Sequence, residues 1–394
     1  DLNFAAVKKL DSRITYYRTG PASYIDEFGK VVLVGANTPR FDHDPETRES
    51  KGLLVEESKT NLIPNSFDKG SWNTGSAGTL TRNAGIAPDG TMTATKASTT
   101  SNDIDTSPSI GPASEGASTQ IAISGSTTYT LSIWAKASTI AQVGNNFKVR
   151  WKRITGDGSS SETTFALTAD WKRYSTTGTT AANNTTMACY VGGVSGSEAL
   201  VWGAQLEVSS FPTSLIPTSG SSATRGADAA YMDAIGDSFY NQNEGTSIVE
   251  YNYTEDTDGA HTLFSFTGTE SDPAASNPRQ WLRINKTAGT PRTIRYSLTT
   301  DASSTSDDTS SAVATPGQWD KFAFAYTSGD QDLYLNGSSV NDLSRTPPIN
   351  CYRLSFGNVG WNLGLETIML EGHIRRFMYY PKKLPNSQLA TITS

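Results

Sequence analysis

The stretch TYTLSIWAKA (residues 128–137) decides the fold class. Tyr129, Leu131, Ile133 and Ala135 alternate with Thr130, Ser132, Trp134 and Lys136. A period of two is the signature of a strand with one face in a core and the other turned away from it. The first set is the expected core face, which places Trp134 on the opposite side. FKVRWKRI (147–154) repeats the pattern, with Phe147, Val149 and Trp151 set against Lys148, Arg150 and Lys152. In ALVWGAQLE (199–207) the expected core set is Leu200, Trp202, Ala204 and Leu206, with Gln205 and Glu207 outside.

Segments of this kind recur along all 394 residues, separated by clusters of Gly, Ser, Asn, Asp and Pro. Thr, Tyr, Val, Ile, Phe and Trp dominate them, as a half-buried pleated surface favours. Stretches with a 3.6-residue period are almost absent, and the short helical pieces expected are Phe4–Leu10 and Pro385–Thr393. Asn336-Gly337 after DLYL predicts a type I′ hairpin, because both central residues must take positive φ. A smaller hairpin is expected at Ser23–Gly29 and Lys30–Val34. The chain therefore reads as all-β: two tandem antiparallel β-sandwiches after a small N-terminal segment. The expected boundaries are 1–60 for an attachment segment, 61–218 for the first sandwich, 219–239 for a linker and 240–394 for the second. The linker is inferred from the Pro- and Ser/Thr-rich run 211–228.

Composition excludes several function classes. Hydrophobic residues are 36% and charged residues 18%, and 32 Lys+Arg against 39 Asp+Glu give a net charge of −7. A negative chain argues against nucleic acid or an anionic membrane as the main partner. No window approaches 18 uninterrupted apolar residues, so no transmembrane helix is expected. The N-terminal DLNFAAVKKL lacks the apolar core of a secretory signal. Two cysteines, Cys189 and Cys351, fall in different expected domains, which disfavours a disulfide scaffold. The three histidines are widely spaced, and the sequence holds no GxxxxGK[ST], GxGxxG or GxSxG. His43 between Asp42 and Asp44 brings a metal to mind, but a polar loop tied by side-chain-to-backbone bonds is the expected role.

Three parts of the chain carry a resemblance. PRFDHDPETRESKGLLVEESKTNLIPNS (39–66) resembles a segment of tailed-bacteriophage virion proteins of the fibre and minor-structural type, where it leads into a carbohydrate-binding-like jelly roll. LVWGAQLEVSSFPTSLIPTSGSSATRGAD (200–228) resembles the closing strand and exit linker of that module. Further on, GQWDKFAFAYTSGDQDLYLNG (317–337) and LEGHIRRFMYYPKKLPNSQLATI (370–392) resemble the concanavalin-like, laminin-G-type sandwich. The resemblance implies a virion component, of tail or capsid exterior, that binds host surface polysaccharide or lipopolysaccharide and contacts other virion proteins. It also implies a homo-oligomer, a trimer by analogy with fibre proteins, and in some relatives a calcium ion. A capsid-attached head fibre or decoration protein, or a polysaccharide-degrading enzyme or its accessory module, are the alternatives.

A sugar site needs aromatic faces for the apolar side of the ring and polar groups for its hydroxyls. Trp134 is the first candidate, with Lys148, Arg150 and Lys152 expected on the same face and suited to an acidic polysaccharide. In the second sandwich, Trp361 sits in the glycine-rich GNVGWNLG, and Arg283 and Arg295 occupy the polar faces of their strands. Asp256 and Asp258 are weak calcium candidates. Hydrolysis would need two carboxylates across a cleft. Glu250 lacks a second acid two residues on, and Glu255 lies at the strand's end, so no catalytic residue is expected.

Overall fold

The computed structural model describes residues 1–68, 70–110, 120–254, 259–275, 278–286, 293–299, 305–309, 315–344, 347, 350–360 and 369–394. Among these, regular structure is almost entirely β, and the strand pairings are antiparallel. The strands build two sandwiches, one inserted in the chain of the other.

The inserted sandwich spans roughly residues 62–218. One sheet runs Lys172–Thr179, Thr128–Ala137, Glu198–Val208, Ala94–Thr99 and Gly78–Gly85. The facing sheet runs Ser109–Ile110, Thr186–Gly192, Asn146–Arg153 and Ser160–Ala166, with Ile121–Ala122 beside Thr186–Gly192. Tyr129, Leu131, Ile133 and Ala135 meet Phe147, Val149 and Trp151 in the core between them, as the alternation requires. Thr pairs across the strands, such as Thr130 and Thr177 at 2.7 Å, explain how a Thr-rich chain sustains a sheet on its non-core face.

The strand Glu198–Val208 departs from the simple alternation. Ala199, Val201, Ala204 and Leu206 face the core, while Leu200 and Trp202 turn to the other side and join Trp134. The cause is a β-bulge. Ser132 pairs with Gln205 and Trp134 with Trp202, so two residues, Gly203 and Ala204, oppose Ile133 alone. Gly203 takes φ +67°, and a Cβ there would lie 3.1 Å from Leu215 Cδ2 and 3.2 Å from Trp134 Cδ1. Gly203→Ala is expected to lower stability by about 1–3 kcal/mol, the usual cost of a left-handed non-glycine residue. Urea unfolding measures it, and an unchanged midpoint would show that the bulge does not depend on that glycine.

The outer sandwich draws on both ends of the chain. Its first sheet orders Ser338–Leu343, Asp330–Leu335, Asp320–Thr327, Glu244–Tyr253, Gly372–Tyr380, Ser50–Val55 and Phe41–His43, and Leu2–Asn3 also pairs with Gly372–Tyr380. Its second sheet orders Thr15–Tyr17, Ala229–Met232, Arg353–Phe356, Gly259–Thr267, Arg279–Lys286, Thr293–Thr299 and Thr305–Thr309. Val249, Tyr251, Phe322 and Phe377 from the first sheet pack against Phe264, Leu282, Tyr296 and Phe356 from the second. Asn336 and Gly337 have φ of +46° and +81° in a two-residue hairpin loop, as their sequence predicts. The C-terminal helix, Asn386–Thr393, lays Leu389 over Ile248, Ala323 and Ala325 on the sheet's outer face. The N-terminal helix covers only Phe4–Val7, because Lys8 turns to φ +51° and closes it.

Two expected boundaries are corrected by this topology. Residues 1–60 do not stand apart as an attachment segment: Phe4, Leu53 and Val55 are core residues of the outer sandwich, and Leu53 pairs with Ile374. The 211–239 region is not a solvated linker either. Leu215, Ile216, Arg225 and Asp228 are buried, Ala223–Arg225 pairs with Lys59–Asn61, and Ala229–Met232 is a sheet strand. Its Ser, Thr and charged residues are there to satisfy buried polar groups, which composition alone reads as exposure.

Candidate binding site between the sandwiches

The chain passes into the inserted sandwich through Lys59–Asn61 and leaves through its partner Ala223–Arg225. Polar side chains lock this ribbon. The buried Asn61 donates its amide to Ala204 O at 3.1 Å and Ile216 O at 2.9 Å, tying the incoming segment to the outgoing one. Arg40 bridges Glu56 and Asp228, Arg225 pairs with Glu56 at 3.0 Å, and Arg18 lies 3.6 Å from Asp228. Tyr16 donates its hydroxyl to Asp228, and Ser214 donates its hydroxyl to Glu56 at 2.6 Å. Burial alone would raise the Glu56 carboxyl, but the Arg225 and Arg40 guanidiniums outweigh it and hold it far below the usual carboxylate range. Glu371 next to this cluster behaves in the opposite way: burial, together with Glu57 and Glu56 nearby, pushes its carboxyl well above that range.

Beside the ribbon the two sandwiches enclose a pocket of about 250 Å³. The inserted sandwich contributes Trp134 and Arg173, which are directly opposite each other on neighbouring strands. The outgoing segment adds Phe211 and Thr213, and the Ala22–Ile25 strand adds Tyr24. From the outer sandwich come Asp42, His43 and His373. Tyr24 and Phe211 are half-buried. Trp134 is only 6% exposed and packs with Val31, Leu200, Trp202 and Leu215.

The pocket's polar groups are held in defined states. Asp42 Oδ1 accepts Ile25 N at 2.6 Å, and its other oxygen accepts from His373 Nε2 at 2.9 Å. His43 Nδ1 donates to Ile25 O at 3.1 Å, since a carbonyl can only accept. Arg173 donates to Thr213 O and, at 2.9 Å, to Ser132 Oγ. Four lining side chains retain a buried nitrogen with no protein partner: Trp134 Nε1, Arg173 Nε, His43 Nε2 and His373 Nδ1. Unpaired buried polar atoms also occur away from the cavity, as on Arg18, Arg40 and Trp151; beside it, they are positions that a molecule in the cavity would pair.

The expected site residues fare differently. Trp134 lies on the non-core face and lines the pocket. Lys148, Arg150 and Lys152 are corrected: they sit on the outer face of the facing sheet, across the sandwich from Trp134. There Lys148 pairs with Glu162 at 3.0 Å, while Arg150 and Lys152 meet Asp105 at 3.1 and 2.7 Å. Arg283 and Arg295 are register partners, and their side chains lie outside the described residues. Trp361, Asp256, Asp258 and Glu255 also lie outside them. Glu250 pairs with Arg375 at 3.4 Å, and its strand neighbours in register are Lys321 and Arg376. Asp44 accepts from Glu46 N and Thr47 N, both at 2.9 Å, in the expected polar loop, but Asp42 and His43 are corrected: they belong to the strand Phe41–His43 and bond to Ile25 and His373 rather than locally. Among the described residues no group of three or more His, Cys, Asp or Glu side chains is placed to hold a metal ion. Both cysteines are buried and unbridged.

Sequence reasoning missed Arg173, His373, Tyr24 and Phe211. Only strand pairing brings Arg173 to Trp134, and only the nesting of one sandwich in the other brings His373 to Asp42.

No family model and no curated protein matches the chain. Among solved structures it is similar to the CBM40 module of the Ruminococcus gnavus IT-sialidase, with 19% identity over 39% of this chain and 84% of that one, at a TM-score of 0.32. Domain 4 of AbnA, an extracellular arabinanase of Geobacillus stearothermophilus, matches at 15% identity over 43% and 73%, with a TM-score of 0.33. A heptameric SAP-like pentraxin of Limulus polyphemus matches at 15% over 39% and 70%, with a TM-score of 0.32.

Proposed function

We propose that this chain is a non-catalytic component of a bacteriophage particle, of tail-fibre, spike or receptor-binding type, that adheres to host surface glycans through the pocket between its sandwiches. The carrying observation is that pocket: half-buried Tyr24 and Phe211 offer apolar ring surface beside Arg173, Asp42, His43 and His373. A pyranose demands that combination, one apolar face and a rim of hydroxyls. At about 250 Å³ the pocket is just below the roughly 300–1,000 Å³ of drug-sized ligand sites, so it suits one sugar unit of a longer chain. Affinity per site is then modest, and copies on a particle supply avidity. The stretches 39–66 and 200–228, which resemble virion segments, pack on one another and together supply Asp42, His43, Phe211 and Thr213 to the pocket. Glu250, bound to Arg375 and flanked by basic strand neighbours, is given no hydrolytic role.

A glycan array probed with the purified chain, with released sugar assayed on the same samples, tests the reading. Saturable binding without product is expected, and Tyr24→Ala and Phe211→Ala should each weaken it about tenfold, the scale of an interface anchor. Released oligosaccharide would make the chain an enzyme. Binding unaffected by both substitutions would move the site elsewhere, and no binding would favour the capsid-decoration role.

A further inference from the structure

The charge inventory around the pocket is uneven. Near the ribbon four guanidiniums, on Arg18, Arg40, Arg173 and Arg225, stand among the carboxyls of Glu56, Glu57, Glu207, Asp228 and Glu371, of which Glu57 pairs with Lys59 and Glu371 is pushed well above the usual carboxylate range. Three of the arginines are matched in direct ion pairs: Arg40 with Glu56 and Asp228, Arg225 with Glu56, Arg18 with Asp228. Glu207 is committed to neutral donors, accepting Gln205 Nε2 at 2.7 Å, Thr213 N at 2.9 Å and Thr213 Oγ1 at 2.6 Å. Asp42 is held by His373 and Ile25 N. Arg173 is the exception. Its hydrogen bonds go to a carbonyl and a hydroxyl and use two of its five N–H groups; its Nε lacks a protein partner, as do those of the other three arginines. Desolvation draws this cation below the ordinary arginine value, against the opposing pull of Glu207 and Glu56 nearby. A half-buried guanidinium with no contacting anion is a position that an incoming anion would stabilise.

Its neighbour sharpens the point. Trp134 faces Arg173 in register, which puts the two Cβ atoms about 4.5–5.5 Å apart. The Trp134 indole N–H is also buried and unpartnered, and both residues line the pocket. Resting on the glycan reading above, we infer that the Trp134–Arg173 pair is the recognition point for a carboxylate-bearing saccharide, a uronic acid or similar acidic sugar. The guanidinium and the indole each supply an N–H, and a carboxylate has two oxygens to receive them. Neutral sugars bind the same aromatic rim without this contact.

The test uses the full chain and two matched probe sets: glucuronate and galacturonate oligosaccharides, and their glucose and galactose counterparts. Calorimetry should show the acidic set bound about ten- to a hundredfold more tightly, the range of one charge-assisted hydrogen bond. Arg173→Gln should erase the preference, lowering uronate affinity about ten- to a hundredfold more than it lowers neutral-sugar affinity. In the unsubstituted chain, the Trp134 indole N–H resonance should move on uronate binding, which needs no variant to fold. Equal affinity for the two sets overturns this inference and leaves the glycan reading standing. Binding of no member of either set overturns both.

Discussion

A fragment of residues 228–394 alone is expected to be unfolded or aggregated, although it contains most strands of the outer sandwich. The reason lies in what the N-terminus supplies. Phe4, Ile14, Leu53 and Val55 belong to the core of that sandwich, and the first, third and fourth are at most 1% exposed. At roughly 1.5–3 kcal/mol for each fully buried side chain of this size, their loss removes about 6–12 kcal/mol. That is comparable with the whole stability of a typical domain, about 5–15 kcal/mol. The loss also strips Ser50–Val55 from the edge of Gly372–Tyr380 and Thr15–Tyr17 from Ala229–Met232, leaving unpaired strand edges that invite aggregation. Circular dichroism and amide-proton NMR of the fragment read the outcome, and a peptide of residues 1–57 added in trans should restore dispersed resonances. A fragment that folds cooperatively on its own would mean that the N-terminal strands decorate an independent domain, and the nested topology would lose its energetic meaning.

The same N-terminal segment shows where sequence reading reaches its limit. The alternation in TYTLSIWAKA and FKVRWKRI makes the strands and their core faces legible, because period two is a property of the strand itself. Asn336-Gly337 is legible for a similar reason: a two-residue hairpin needs positive φ locally. What is not local is not legible. Nothing in SKGLLV (50–55) says that one of its partners is a strand near the other end of the chain, Leu54 opposite His373, since hydrophobic alternation does not name a partner strand. The parity of ALVWGAQLE misleads because Gly203 inserts a bulge, and an isolated glycine in a strand is only a faint sign of one. FPTSLIPTSG reads as a linker because Ser and Thr are the same residues whether they face water or buried carboxylates. The candidate site inherits these limits. Trp134 is found from its own strand, but Arg173 and His373 become its neighbours only through pairing and nesting.

Asp228→Ala is expected to cost about 3–5 kcal/mol, the scale of breaking a buried ion pair from one side. Asp228 is fully buried and accepts from Tyr16 Oη, from Arg40 and, at 2.9 Å, from Glu56 N, with Arg18 Nη1 3.6 Å away. Its removal leaves Arg18 with no carboxylate and frees a buried backbone N–H. Arg18→Met in the same background should recover part of the loss, because the second substitution removes the stranded charge; an additive pair would show that Arg18 is not the victim. Acid probes the same cluster without mutation. The Glu56 carboxyl is held low in the folded chain, so its contribution is present above the unfolded value of about 4.3 and is lost as pH falls below it. Glu371, held high, has the opposite sign: its contribution is present below the unfolded value and lost as pH rises, so Glu371→Gln should stabilise the chain at neutral pH. The consequence reaches the pocket. A two-strand ribbon is a weak joint by itself, and this network fixes the angle at which Trp134 and Arg173 meet Asp42 and His373. Asp228→Ala should therefore split one thermal transition into two and weaken glycan binding at temperatures where both sandwiches remain folded. A single transition with unchanged affinity would show that the network stabilises each sandwich separately and does not set the geometry between them.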